Sequence, residues 1–270
     1  MSDPHFILLD ASYFMFFRYH ALKRWWSHSK REGEPENPLD CERYMKTFHN
    51  TFTSKLAGLR KLAGYGKKDS PIVITAHDCP SSKGWRRVIW PEYKATRVSD
   101  TLAHAHFDIV KKENLFKIEG VGASLEYPGL EGDDCIALTV EEILKNHKGS
   151  KITIISSDAD FKQLLGPDVR LVDLKGKCHG GWDTDIDAEK ELFCKILSGD
   201  KSDNIPSVLP KCGPKTAESL YQSPEQFESR IALDPLSAGL YARNRLLVDF
   251  RCIPTPLADG FRRDRLRILR

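Results

Sequence analysis

Long apolar runs are missing from this 270-residue chain. The longest stretch, residues 6–17, is broken by Asp10 and Ser12, whereas a membrane-spanning helix needs about 20 apolar residues. No membrane partner is expected. The N-terminus has Asp3 and no basic stretch ahead of an apolar one, so it does not read as a secretory signal. None of the seven cysteines stands in a C-x-x-C pair. That spacing excludes a disulfide framework and a cysteine-based zinc site, and it predicts a reducing, intracellular setting. The adjacent Cys178 and His179 are too few for zinc, which wants four ligands, and read as a surface loop. Repeats and low-complexity tracts are also lacking. With 40% hydrophobic and 29% charged residues, the composition excludes general disorder.

The net charge of +3 is small, but charge is segregated along the chain. Residues 18–31 hold Arg18, Lys23, Arg24, Lys30 and Arg31 and no acid. Residues 83–97 hold Lys83, Arg86, Arg87, Lys94 and Arg97 against Glu92, and residues 262–270 hold five arginines against Asp264. Such separation suits a polyanionic partner.

Short apolar runs at residues 5–10 (HFILLD), 71–78 (PIVITAHD), 151–158 (KITIISSD) and 169–173 (VRLVD) predict buried parallel strands. Each ends in aspartate, and sites form at the carboxyl ends of strands in open parallel sheets. Helical periodicity at residues 131–147 and 47–63 predicts helices between strands, hence a three-layer α/β core. Residues 27–40 and 79–99 read as long loops, and beyond residue 198 a region of short helices is expected.

The chemistry rests on nine acids: Asp10, Asp78, Glu131, Asp133, Asp134, Asp158, Asp160, Asp200 and Asp203. Each group alone has an ordinary explanation, such as a helix N-terminus favoured by its dipole or a strand-end turn. Gathered at one sheet edge they would repel by several kcal/mol per close pair. Hard divalent cations, Mg²⁺ or Mn²⁺, relieve that repulsion through oxygen-only ligands. Two such ions clamp the attacking and leaving oxygens of a phosphodiester. The segment GWRRVIWPEYKATR interleaves Trp85, Arg86, Arg87, Trp90, Tyr93, Lys94 and Arg97, a pattern for gripping phosphates and stacking bases. Residues 20–31, with Trp25 and Trp26, form a weaker second candidate. In SDNIPSVLPKCGPKTAESL, Gly213 permits a tight turn, Pro214 opens a helix, and Lys215 stands at an anion-binding N-terminus.

At this point the chain resembles the structure-specific 5′-nucleases, or flap endonucleases, in particular the branch of DNA polymerase I 5′-nuclease domains and phage ribonuclease H. The blocks FILLDASYFMFFR, WRRVIWPEYKATR, GLEGDDCIAL, IISSDADFKQLL, LSGDKSDNIP, CGPKTA and NRLLVDFRCIP span residues 6–254 in the family's order. The resemblance implies a PIN-like core over residues 1–200, with a helical arch at about 79–108. A helix-hairpin-helix element over 201–245 and a basic segment over 246–270 complete the division. It assigns a first metal cluster to Asp10, Asp78, Glu131, Asp133 and Asp134, and a second to Asp158, Asp160, Asp200 and Asp203. It places Arg86 and Lys94 at the scissile phosphate, lets Tyr93 stack on a nucleotide, and adds K⁺ at the hairpin. Lys211 stands where relatives often have glycine, and Trp85 replaces a usual Phe. No polymerase sequence follows, so a stand-alone monomeric enzyme is expected. Its implied substrates are branched, flapped or nicked DNA and RNA primers in RNA–DNA hybrids, with replication proteins as further partners. A catalytically silent DNA-binding protein of the same fold is the alternative. A phosphatase with Asp10 as nucleophile would want a second acid where Ser12 stands.

Overall fold

The computed structural model describes residues 4–66, 68–118, 120–182 and 186–269. The chain runs β1 (Phe6–Asp10), α1 (Ala11–Ser29), α2 (Glu42–Ala57), α3 (Leu59–Leu62), β2 (Ile72–Ala76), α4 (Trp85–Ile89), α5 (Thr101–Lys112), β3 (Val121–Leu125), α6 (Gly132–Asn146), β4 (Ile152–Ile155), β5 (Val169–Val172), β6 (Cys178–Gly180) and α7 (Ala188–Ser198). Four more helices follow: α8 (Pro214–Tyr221), α9 (Pro224–Ala232), α10 (Pro235–Val248) and α11 (Thr255–Arg265).

The strands form one six-stranded sheet in the order β3-β2-β1-β4-β5-β6. Every pairing is parallel except β5 with β6. The four apolar runs supply β1, β2, β4 and β5. Successive strand residues point to opposite faces. Phe6 and Leu8 therefore join Ile74, Ile152 and Ile154 under α6 and α11, while Ile7 and Leu9 join Val73 and Ile155 under α1 and α2. The sheet is thus covered on both sides, which explains the continuously apolar strands. Each fully buried Leu, Ile or Phe contributes about 1.5–3 kcal/mol.

Several boundaries differ from expectation. The helix expected at 47–63 starts at Glu42 and stops at Ala57, and Gly58 separates it from the single turn of α3. The loop expected from residue 27 is shorter, because α1 continues to Ser29 and a 3₁₀ turn occupies Pro38–Asp40. Trp25 and Trp26 are engaged by Arg43, at 4.9 and 5.3 Å, rather than held out for bases. Cys178 and His179 lie in strand β6 rather than a loop, with His179 Nε2 3.0 Å from Asp173 Oδ2. The basic C-terminal segment is not a loose tail. Phe261 and Leu266 are fully buried, and Arg262 reaches Glu141 at 2.8 Å.

Candidate active site

The strand order reverses at β1, which has β2 on one side and β4 on the other, and such a switch leaves a crevice at the carboxyl edge. Asp10 ends β1 and caps α1, accepting from Tyr13 N–H at 2.9 Å and from the Ser156 hydroxyl at 2.8 Å. Asp78, just beyond β2, accepts from the Ser12 hydroxyl and from Gly132 N–H, both at 2.6 Å. A Cβ on Gly132 would lie 3.2 Å from Asp78 Oδ1 and 3.3 Å from Ala76 O, so this approach of α6 to β2 wants glycine. Asp158 caps a 3₁₀ turn beyond β4 and accepts from Asp160 N–H at 2.9 Å.

Asp133, in the first turn of α6, makes no hydrogen bond among the described residues. Burial, followed by the charges of Asp10 and Asp158, pushes its carboxyl well above the ordinary range. Burial likewise pushes Asp10 up to about 7, with Asp78 and Asp158 adding repulsion against the hydrogen bonds from Tyr13 and Ser156. Asp10, Asp78, Asp133 and Asp158 therefore feel one another across the crevice. Among the described residues no three His, Cys, Asp or Glu side chains are arranged to hold an ion as they stand. Most of the carboxylates are turned to protein donors instead. The donor chemistry, oxygen-only and in excess of negative charge, suits a hard divalent cation.

A second group lies beside the first. Lys195 Nζ bridges Asp160 Oδ1 at 2.6 Å and Asp200 Oδ2 at 2.5 Å. Burial raises Asp160 to about 6, Asp158 adding to it and Lys195 opposing. Asp200 also resists burial, yet Lys195 and Ser202 hold it down at about 2. Gly199 makes the tight loop into this pair possible. Its φ is +69, and a Cβ would come within 2.3 Å of Ile205 O, across the Asp200–Ile205 bridge. Asp203 accepts from Tyr93 at 3.0 Å and from Arg97 at 2.6 Å, and its carbonyl receives Lys94 N–H at 2.9 Å.

The basic segment folds down onto the acids. Lys94 Nζ lies 2.7 Å from Glu131 Oε1. Burial opposes its charge, but Glu131 and Asp203 outweigh that and push it up to about 12. Burial also opposes ionisation of Glu131, which Lys94 and Arg86 nonetheless hold below the usual range. Arg86 differs from expectation. It is 4% exposed and spends its donors on Asp134, Glu131 and the Leu247 carbonyl, so it faces the interior and not a phosphate. Asp134 is fully buried and accepts from Arg86, Trp85 Nε1 and Glu131 N–H, which leaves it no room for an ion. Trp85 and Tyr93, expected to stack on bases, are each 5% exposed. The Tyr93 hydroxyl donates to Glu131 at 2.9 Å. The reason is common to Trp85, Arg86 and Tyr93: α6 and the Asp203 loop bring acids to the segment, and these draw its donors inward. Arg87, half-buried, and Arg97 remain at the surface side.

Gly213 caps α8 with φ −94, which any residue adopts; the left-handed residue of this turn is Lys211, at φ 57. A Cβ on Gly213 would meet open space, and Lys215 beside it is exposed and has no ion-pair partner among the described residues. Pro214 occupies the first helical position, as expected. Lys195, Ser156 and Gln163 escaped the sequence reading. Gln163 ties the Asp160 and Val248 carbonyls together at 2.9 and 3.0 Å. Ser156 had a signal in its place beside the acids of SSDAD; Lys195, an ordinary helix lysine two residues before LSGDKSDNIP, had none.

A family model for the 5′-3′ exonuclease N-terminal resolvase-like domain matches residues 5–190. The 5′-3′ exonuclease of Aquifex aeolicus is 32% identical over 223 residues, covering 78% of this chain and 66% of that protein. DNA polymerase I of Rhizobium leguminosarum is 27% identical over 230 residues, 82% of this chain, which spans only 21% of the polymerase. Among solved structures, a bacteriophage T5 flap endonuclease in a pseudo-enzyme–product complex with DNA and metal ions superposes with a TM-score of 0.66 at 20% identity. That match covers 98% of this chain and 99% of the other. The mostly parallel sheet is the resolvase-like, PIN-type nuclease fold. With the family model covering well over half of the residues, the chain belongs to the 5′-3′ exonuclease family.

Proposed function

We propose that this protein is a divalent-metal-dependent 5′-nuclease that hydrolyses phosphodiesters near the 5′ ends of branched, flapped or nicked DNA. RNA primers in RNA–DNA hybrids are companion substrates, and replication or repair is the setting. The observation that carries this is the crevice at the β1 switch, where burial and the charges of Asp78 and Asp158 raise the affinity of Asp10 and Asp133 for positive charge. These four would hold one ion, and Asp160, Asp200 and Asp203 a second, Mg²⁺ or Mn²⁺ in each case. What such ions supply when bound is an acidified water and neutralisation of phosphate charge. Glu131 acts by holding Lys94, and Lys94 and Arg97 place the phosphate on the open side. Residues 1–200 form the nuclease core, and residues 201–245 grip duplex backbone through the exposed N-terminus of α8 and Lys215. A K⁺ ion at the turn before α8 belongs to the same reading.

The test is cleavage of 5′- and 3′-labelled flap, nicked and hybrid substrates with Mg²⁺ titrated. Metal-dependent release of 5′ fragments is expected, and Asp158→Asn abolishes it while flap binding persists. A protein that binds flaps but leaves them intact at every metal concentration overturns the reading.

A further inference from the structure

One face of the core carries a depression of about 380 Å³ between α1, α2 and the segment after β5. Its floor is apolar, built from Phe17, Leu59 and Leu174, and its walls carry Arg18, Lys55 and Lys61. No acid lines it among the described residues. Lys55 and Lys61 are exposed and make no ion pair or hydrogen bond among the described residues. Arg18 Nε is buried without a hydrogen-bond partner. Other basic side chains of the core do meet acids, Lys23, Lys30, Arg43, Lys94 and Lys195 among them. Three cations without an acid partner among the described residues, Arg18 lying over the Phe17 ring at 5.9 Å, mark a site for an anion with an apolar, flat portion. The volume lies within the range of about 300–1,000 Å³ usual for small-molecule sites.

A short hydrogen-bond chain links the edge of the depression to the acid crevice. Leu174 N–H donates to the Tyr13 hydroxyl at 3.2 Å, and Tyr13 N–H donates to Asp10 at 2.9 Å. Phe17 stands one turn beyond Tyr13, ring centroids 6.1 Å apart. Arg18 follows Asp10 by eight positions on α1, about 12 Å along the helix at 1.5 Å per residue. That is the reach of a few nucleotides of a strand whose reacting phosphate sits at Asp10.

We propose that this depression binds a nucleoside monophosphate unit, its base on Phe17 and its phosphate held by Arg18, Lys55 and Lys61. The unit comes either from the strand held at the crevice or from free mononucleotide. The choice between these sources rests on the nuclease reading; the chemistry of the pocket does not.

The experiment titrates dAMP into the full chain with divalent metal chelated. It uses wild type, the double variant Lys55→Glu/Lys61→Glu, Phe17→Ala, and a control reversing the exposed Lys145, on α6, and Lys148, just beyond it. Wild type and the control bind dAMP alike, and both pocket variants bind it at least about tenfold more weakly. Inorganic phosphate, lacking a base, binds less tightly than dAMP. Equal binding by the double variant, no binding by wild type, or phosphate as good as dAMP overturns the proposal. Two further arms assign the source. In an Asp158→Asn background, loss of flap-DNA affinity with a salt slope reduced by about 1.4–1.8, two phosphate contacts' worth, assigns the strand. Unchanged DNA binding there, with dAMP inhibition of cleavage lost when the two lysines are replaced in the enzyme that keeps Asp158, assigns free nucleotide. Lysine-dependent dAMP binding in a protein that never cleaves DNA would leave the pocket standing and sink the nuclease reading alone.

Discussion

Arg86 and Asp134 hold each other through two hydrogen bonds, at 2.7 and 2.9 Å, with side chains 4% and 0% exposed. Removing one partner of such a pair leaves the other charge buried and uncompensated, which costs about 3–5 kcal/mol. Arg86→Ala is therefore expected to lower the urea midpoint and to lose cleavage in proportion to the folded fraction. Full stability with cleavage abolished would instead make Arg86 a contact to substrate.

Asp10 and Asp160 give the metal-free protein a pH dependence of defined sign. Burial raises their folded pKa values to about 7 and about 6, above the ordinary 3.8. A raised carboxyl contributes stability while protonated, and that contribution is lost as pH climbs from about 4 through 7. Asp200, held at about 2, behaves oppositely and weakens the fold only in stronger acid. Melting with EDTA should therefore show Tm falling between about pH 4 and pH 7. Mg²⁺ should restore more at the upper pH, where the carboxylates are ionised. An equal Mg²⁺ effect at both pH values contradicts mutual repulsion as the organising force.

The strands that carry Asp10, Asp78 and Asp158 were readable because a sheet covered on both faces demands unbroken apolar runs, and those runs end in the acids. β3 was not readable: VGASL is an edge strand with alternate residues open, and Gly122 weakens its pattern. β6 has only three residues and exists because β5 offers it an antiparallel edge. At the site, the composition of the basic segment was legible and its direction was not. Trp85 and Arg86 turn inward because Asp134 waits 48 and more residues further on, and Tyr93 turns because Asp203 lies 110 residues away. Pairings at that separation leave no local periodicity. Lys195 is the same case, an ordinary helix lysine until Asp160 and Asp200 are folded around it.

Lys195 acts as a built-in counter-ion for the second acid group. Lys195→Met keeps most of the side-chain length and removes the charge. Asp160 and Asp200 then repel without relief, so the EDTA-treated variant should melt lower than wild type. Its Tm rise on adding Mn²⁺ should be larger, because no ammonium competes for the oxygens. A smaller rise than in wild type would mean that Lys195 orients the carboxylates for the ion instead of competing with it.

Lys94 combines a charge role with a backbone role, and two substitutions separate them. Its φ of 57 is a conformation that costs a non-glycine residue about 1–2 kcal/mol. The chain holds it there because its N–H reaches the Asp203 carbonyl and its ammonium reaches Glu131. Lys94→Ala removes the ammonium and keeps the strain; Lys94→Gly removes both. Loss of a preorganised charge aimed at developing negative charge typically costs about 10²–10³ in kcat, so both variants should cleave flaps that much more slowly. Glycine should nonetheless be the more stable of the two by about 1 kcal/mol in urea denaturation. Glu131, left with Arg86 as its one cation in both, should titrate higher than in wild type. If either variant cleaves within a few-fold of wild type, Lys94 serves the fold and not the phosphate.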